Sequence, residues 1–401
     1  NVLYSKIFMK KIPKGSGHCD INTKTCHDED NFAYKKLLFY DINPPEGFNL
    51  RRDVYMRFAI MLAEARNRGK KMDWGLVLPP WYKLYHWRSE TRKSIPQPWN
   101  RFFDVDSLKS FAPVIELHEV FTKTPSKKLV IDRLYVLQNY DDPFEGGTFT
   151  EKWEVNNDNC DYNGHYWGYN NITAKETICV RYQGKISQLW ELIALHLSDS
   201  KVMIAHAEIP LHEEYGTKSF WKCRKSMKFN TELDVTAKNL MAKQLECFDE
   251  KCSSYIAIHW RRQDFAHSRS VDVPSTVGTV KQVDKLIKKL KYQTRKIFVA
   301  TDATDAEFKK LKSQFEDIGY EIYSYKPSQK EIEAFKDGGV AIIDQIICSH
   351  ALHFIGTHES TFTFRIQEER EIIGFNSKTS FDRLCPDTGK CEKPSKWTIV
   401  Q

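Results

Sequence analysis

Two short apolar runs, Lys36-Leu37-Leu38-Phe39-Tyr40 and Trp74-Gly75-Leu76-Val77-Leu78, bracket a stretch in which Val54, Phe58, Met61, Leu62 and Ala65 recur at helical spacing. Short apolar runs bounded by turn residues read as buried strands, and the 3.6-residue period between them reads as a helix. That helix starts near Leu50, with Gly69 as its stop. Strand, helix and strand at this spacing form a βαβ unit. The rhythm returns in the second half, where strands are expected at Tyr255-Ile256-Ala257-Ile258, Ile297-Phe298-Val299-Ala300, Glu321-Ile322-Tyr323 and His353-Phe354-Ile355-Gly356. Helices are expected over about 281–296, over about 304–317, opening around Ala341 to Ser349, and from Thr361. The middle is less regular, with helices near 185–198 and 233–248 and a loop region over 141–170. The reading is an α/β chain of two doubly wound domains, 1–240 and 241–401, facing across a cleft. The C-terminal tail is expected to pack back on the first domain.

The chain has 401 residues, 41% hydrophobic and 28% charged, which suits a two-lobed globular protein with a sizeable core. No run approaches the roughly 18 uninterrupted apolar residues of a membrane span. The net charge of +7 reads as a solubility feature. The lysine-rich stretch 281–296 carries Val283, Leu286, Ile287 and Leu290 at helical spacing, so it is a helix with a wet face and not a nucleic-acid site. Eight of ten cysteines form close pairs: Cys19/Cys26, Cys160/Cys179, Cys247/Cys252 and Cys385/Cys391. Such staples persist in oxidising space, and the spacing of a zinc site is missing. Cys223 and Cys348 either pair with each other or stay as buried thiols. Asn171-Ile172-Thr173 is a glycosylation sequon. These features predict a secretory-pathway protein whose signal peptide is absent from a sequence that opens at Asn1, and whose last residues are no retention tetrapeptide.

The loops at the ends of the predicted strands hold the chemistry. In Asn43-Pro44-Pro45-Glu46-Gly47-Phe48-Asn49 an acid stands on a stiff turn, followed by Arg51 and Arg52. The others are His259-Trp260-Arg261-Arg262, Thr301-Asp302 and Gly356-Thr357-His358-Glu359-Ser360-Thr361-Phe362. Hydroxyls and free N–H groups at a helix start form an anion site, and an arginine at a strand edge holds a phosphate in bidentate fashion. Each has a blander reading: an ordinary N-cap, a surface ion pair, and a structural pairing of Glu46 with Arg51 or Arg52. Walker A, GxGxxG, GxSxG and Cys-x5-Arg loops are missing, which lowers nucleotide hydrolysis, dinucleotide redox, serine hydrolysis and thiol phosphatase chemistry. Asp104-Val105-Asp106 has a metal-binding form but reads as a helix N-cap, and His350 and His353, with no adjacent acid in the sequence, read as packing or hydrogen-bonding groups. The set suits sugar transfer from a nucleotide donor. Arg261 would neutralise the leaving diphosphate in place of a metal, and Glu46 would take the acceptor's proton.

NPPEGFNLRRD, HWRRQDF and GTHESTFTFRIQEERE, with LPPWYKLYHW, IIDQIIC and KPSKWTIV, resemble the GDP-fucose protein O-fucosyltransferases over nearly the whole chain from Lys36. The acid in NPPEGFN is similar to the type 2 branch, which modifies thrombospondin type 1 repeats; the branch acting on epidermal-growth-factor-like repeats has a different loop there. The resemblance implies a GT-B fold and metal-independent, inverting transfer from GDP-fucose in the endoplasmic reticulum lumen. It implies no cofactor beyond that donor, and a monomer acting on the Ser or Thr of Cys-x-x-Ser/Thr-Cys in folded repeats. Carried over by position, Glu46 is the base and Arg261 the leaving-group cation. Gly47, Phe48 and Asn49 line the donor, with Gly47 and Asn49 donating toward the diphosphate, and His259 contacts the nucleotide. Asp344 reads the base or ribose, and Ser360, Thr361 and Phe362 meet the phosphate and guanine. Trp260 and His358-Glu359 depart from the family pattern. Two other readings stay open: a non-catalytic repeat-binding protein, and a fucosyltransferase for another acceptor, such as an epidermal-growth-factor-like repeat or a glycan.

Overall fold

The computed structural model describes residues 34–44, 46–68, 73–84, 87, 95–141, 149–156, 160, 162, 164, 166–269, 271–389, 391 and 399–400; Cys19 and Cys26 lie outside them. The strands of the first half are β1 (Lys36–Tyr40), β2 (Trp74–Leu78), β3 (Val114–Glu116), β4 (Leu129–Gln138), β5 (Lys152–Val155), β6 (Ile172–Gln183) and β7 (Lys201–Ala205). They form one sheet in the order β3-β2-β1-β7-β4-β6-β5. Every pair is parallel except β5, which runs antiparallel to β6 at the edge. The second sheet contains β8 (Tyr255–Trp260), β9 (Lys296–Thr301), β10 (Glu321–Tyr323), β11 (His353–Thr357) and β12 (Asp382–Leu384), all parallel, in the order β10-β9-β8-β11-β12.

Helices cover the sheets: α1 (Phe48–Asn67), α2 (Val105–Phe111), α3 (Leu117–Lys123), α4 (Leu189–Ala194), α5 (Lys218–Ser226), α6 (Thr231–Leu245), α7 (Gln263–Ser268), α8 (Thr276–Leu290), α9 (Asp305–Glu316), α10 (Gln329–His350), α11 (Thr361–Ile373) and α12 (Ser377–Ser380). Strand order reverses between β1 and β7 in one sheet and between β8 and β11 in the other. Open parallel sheets bind ligands at the carboxyl ends of strands at such reversals. The four loops that leave these strands are 41–47, 206–217, 261–262 and 358–360.

The two carboxyl edges converge because α1 and α11, which start there, pack together. Asp53 of α1 meets Arg365 of α11 at 3.4 Å. Glu368 holds Arg365 at 3.1 Å and Arg224 of α5 at 2.8 Å, and Arg224 also reaches Glu369 at 2.8 Å. Arg57 at 2.8 Å and His212 at 3.1 Å close on Asp53. Nearby, Gln345 of α10 donates to Asn49 Oδ1 at 2.9 Å and accepts from Arg52 at 2.8 Å. A buried ionic seam thus joins the halves, laid into an apolar core that runs from Leu38 to Phe354.

Several expectations need revision. α10 begins at Gln329, well before Ala341, because Ser328 and Glu331 form a capping box. The chain then breaks at Lys336, where φ is 57°, and this resets the apolar period and hides the first turns. The stretch 141–170 is not all loop, since it contains β5. The domain boundary near residue 240 stays a proposal; the residue lies inside α6, which packs on α10. Disulfides join Cys160 to Cys179, Cys247 to Cys252 and Cys385 to Cys391, with Cα separations of 5.3, 5.4 and 5.4 Å. Cys223 and Cys348 are separate buried thiols. Among the described residues no helix is long and apolar enough to cross a membrane.

Candidate functional site

The loop after β1 is a turn closed by the Glu46 N–H donating to the Asn43 carbonyl at 3.0 Å. Arg51 does not pair with the Glu46 carboxylate. Its guanidinium grips the turn from behind, donating to the carbonyls of Glu46 (3.0 Å), Pro44 (3.3 Å) and Asn43 (3.5 Å). Arg52 turns away, under the rings of Phe48, Phe103 and Phe229. The half-buried Glu46 carboxylate accepts no hydrogen bond from the described residues. Burial, then the charge of Glu208, push its pKa above the ordinary carboxylate value, and Arg51 opposes them.

Gly47 is the N-cap of α1 and offers no side-chain cap. The first N–H groups of a 20-residue helix are therefore open donors at its positive end. The φ of Gly47 is −79°, ordinary extended backbone. The Phe48 ring is packed against Trp81 at 4.6 Å, so its backbone N–H is the group it presents to the helix start. Asn49 accepts through Oδ1 from Arg52 (3.2 Å) and Gln345 (2.9 Å). Arginine only donates, which fixes the amide orientation and leaves the NH2 end as the remaining donor.

On the second sheet, His259 stacks on Phe362 with ring centres 4.4 Å apart. Its Nδ1 is 2.7 Å from Thr363 Oγ1, and that hydroxyl donates to the Thr357 carbonyl. The Thr363 oxygen must then accept from Nδ1–H, so His259 keeps Nε2 as an acceptor. Burial, then Arg261, push the His259 pKa down to about 3, so the ring is neutral. Thr357 ties the strand end together, donating to the His259 carbonyl (3.1 Å) and accepting from the Arg261 N–H (2.9 Å). A Cβ on Gly356 would stand 2.5 Å from Thr363 Cγ2, so glycine is required for this close packing.

Arg261 is held at both ends, by Asp302 at 2.6 Å and by Asp264 of α7 at 2.6 Å. Asp302 also accepts from the Arg262 N–H at 2.6 Å. Ser360 caps α11 by position without a side-chain bond, so the α11 start is as open as that of α1. Thr361 is exposed and Phe362 half-buried. Asp344 of α10 has a buried Oδ1 with no hydrogen-bond partner among the described residues, and burial pushes its carboxyl well above the usual range. Such an acid suits a donor-rich ligand edge.

Trp260 points into the core, its Nε1 donating to Thr279 at 3.1 Å. Glu359, at φ 59°, pairs with Arg269 on the surface. Asp104 caps α2, accepting from Ser107 N–H at 3.0 Å. His353 does have an acid beside it, Asp382 at 2.5 Å, brought by β12 at the opposite end of β11. Asn171 is half-buried at the start of β6, with Nδ2 donating to the Lys127 carbonyl at 2.6 Å. Sequence reading did not single out Thr357, Thr363 or Glu208. The first two lie inside quoted motifs, and Glu208 had no signal because it reaches the acid loop only through the β1–β7 pairing.

Known proteins match along this frame. The family profile described as GDP-fucose protein O-fucosyltransferase matches residues 37–373. GDP-fucose protein O-fucosyltransferase 2 of Homo sapiens is 39% identical over 397 residues, covering 91% of this chain and 90% of the relative. The Caenorhabditis elegans protein of the same name is 39% identical over 402 residues, covering 92% of this chain and 91% of the relative. A solved structure of POFUT1 in complex with GDP superimposes with a TM-score of 0.59 at 16% identity, covering 87% of this chain and 98% of that one. The fold is GT-B, with its two sheets corresponding to the two Rossmann-like halves.

Proposed function

Because the chain belongs to the GDP-fucose protein O-fucosyltransferase family, we propose that it transfers fucose from GDP-fucose to Ser or Thr in folded thrombospondin type 1 repeats, without a metal and with inversion. The carrying observation is the pairing of an unbonded acid on one sheet with a neutral His, an Arg and an open helix start on the other. In the reaction the acceptor hydroxyl oxygen bonds to the anomeric carbon of fucose as the bond from that carbon to the diphosphate oxygen breaks. The hydroxyl proton passes to Glu46, and GDP leaves with the electron pair. Arg261 and the N–H groups at the starts of α1 and α11 meet the charge that develops on the leaving oxygen. Asp302 keeps the guanidinium in place from behind, while the exposed Asp264 is the partner the diphosphate displaces. His259 Nε2 accepts from the nucleotide, and Asp344 meets the N–H edge of guanine. The oxidising lumen of the endoplasmic reticulum is the compartment that suits three disulfides and a folded, disulfide-bonded acceptor.

Arg261→Ala is expected to lower turnover about 10²–10³-fold, the usual loss when one donor to a developing anion is removed. Steady-state assays at saturating donor check this, and near-normal turnover would remove Arg261 from the leaving-group role. The acceptor reading is tested by GDP release with a folded thrombospondin repeat or a folded epidermal-growth-factor-like repeat. Release with the first alone is expected. Release only with the second would move the protein to the other acceptor class, and tight repeat binding with no release would make it a binding protein.

A further inference from the structure

We propose that Glu208 is a positioning residue for Glu46: it fixes the turn that carries the acid and sets the charge that the acid faces. The proposal rests on the reading of Glu46 as the base. Glu208 leaves β7, the strand beside β1 at the reversal of the first sheet. Its Oε2 accepts from the Asn43 N–H at 3.1 Å, and the Asn43 carbonyl in turn receives the Glu46 N–H. The carboxylate thus holds the base of the turn on which Glu46 stands. The segment around it is itself anchored, since Arg57 donates to the carbonyls of Glu208 (2.9 Å) and Pro210 (2.7 Å) while bonded to Asp53 (2.8 Å).

The end of β1, α1 and the loop after β7 bring charged and polar groups around the acid's turn. From the end of β1 comes Asp41, tied to Trp167 Nε1 at 2.9 Å and Tyr162 at 3.4 Å. Tyr40, the last residue of β1, has a buried hydroxyl with no hydrogen-bond partner among the described residues. From α1 comes Arg51, whose hydrogen bonds go to backbone carbonyls. From the loop after β7 come Glu208 and His206, the latter at φ 55° with Nδ1 3.3 Å from Glu208 Oε1. Burial alone would raise the Glu208 pKa, but His206 and the N–H of Asn43 hold it below the ordinary value. The bond to Glu208 in turn raises the His206 pKa. Glu208 therefore stays ionised, and a fixed negative charge facing Glu46 favours its taking a proton.

Glu208→Gln keeps an acceptor for the Asn43 N–H and removes the charge. The expected result is an acid limb of kcat/KM moved to lower pH, with a plateau kcat roughly 3- to 10-fold lower because the base is weaker. Glu208→Asp keeps the charge, shortens the reach, and is expected to lower kcat with the limb where the wild type has it. A Glu208→Gln limb coinciding with the wild type, or a Glu208→Asp limb displaced as far as that of Glu208→Gln, would overturn the proposal. Glu46→Gln, measured in parallel, separates the two claims. If it turns over normally, the base reading fails and this proposal with it. If it is inactive while Glu208→Gln leaves the limb unmoved, only the role of Glu208 is lost.

Discussion

Glu46→Gln is expected to lower fucose transfer about 10²–10⁴-fold, the usual contribution of an aligned general base. The substitution keeps size and planarity and removes the ability to take a proton. The turn should survive it, because Arg51 and Glu208 hold that turn through the backbone of Asn43, Pro44 and Glu46 and not through the Glu46 carboxylate. Donor binding should survive too, since the groups assigned to GDP stand on β8, α10, α11 and the start of α1. Calorimetric titration with GDP should therefore give an affinity close to wild type while transfer collapses. The pH profile carries the same signature. The base works as a carboxylate, and burial with the charge of Glu208 raises its pKa. Wild-type activity should accordingly begin to fall, as pH is lowered, earlier than an ordinary carboxylate would require. A Glu46→Gln protein with more than a tenth of wild-type turnover would end the base assignment.

Glu368→Ala is expected to cost about 3–5 kcal/mol of folding stability, the range for removing one partner of a buried ion pair. The Glu368 side chain is fully buried and Arg224 is 1% exposed. Glu368 bonds both Arg224 and Arg365, and the buried Arg52 also feels its charge. Alanine would leave guanidinium groups crowded in the seam with Glu369 and Asp53 as their remaining anions. Urea unfolding followed by tryptophan fluorescence reads the loss as a lowered midpoint. A change below about 1 kcal/mol would place this residue in the class of exposed pairs and contradict its structural role. The seam also joins α1 to α11, the helices whose starts carry the Glu46 and Ser360 loops. Its geometry therefore bears on the site as well as on the fold.

Much of this was legible in the residues because it depends on local pattern. β1, α1 and β2 follow from apolar periodicity, and so does nearly every element from β8 to α11. The first sheet was less legible. β4 and β6 pair in parallel across the Cys160–Cys179 loop, and no local pattern announces a partner that far along the chain. β5 lies in a polar, aromatic stretch whose composition resembles a loop. The candidate site divides in the same way. Glu46, His259, Arg261 and Ser360 stand at strand ends that periodicity reveals. What Arg51 does was not legible, because a guanidinium five residues from a carboxylate can as well choose backbone carbonyls. Nor were the grip of Asp302 on Arg261 or the contact of Glu208 with Asn43, each of which crosses between neighbouring strands.

The most direct measurement is the intact mass of a folded thrombospondin type 1 repeat after incubation with this protein and GDP-fucose in the presence of a chelator. A gain of one deoxyhexose is expected on the folded repeat and none on the same repeat after reduction. No gain on the folded repeat, with GDP-fucose bound and the protein folded, would contradict the proposed transfer.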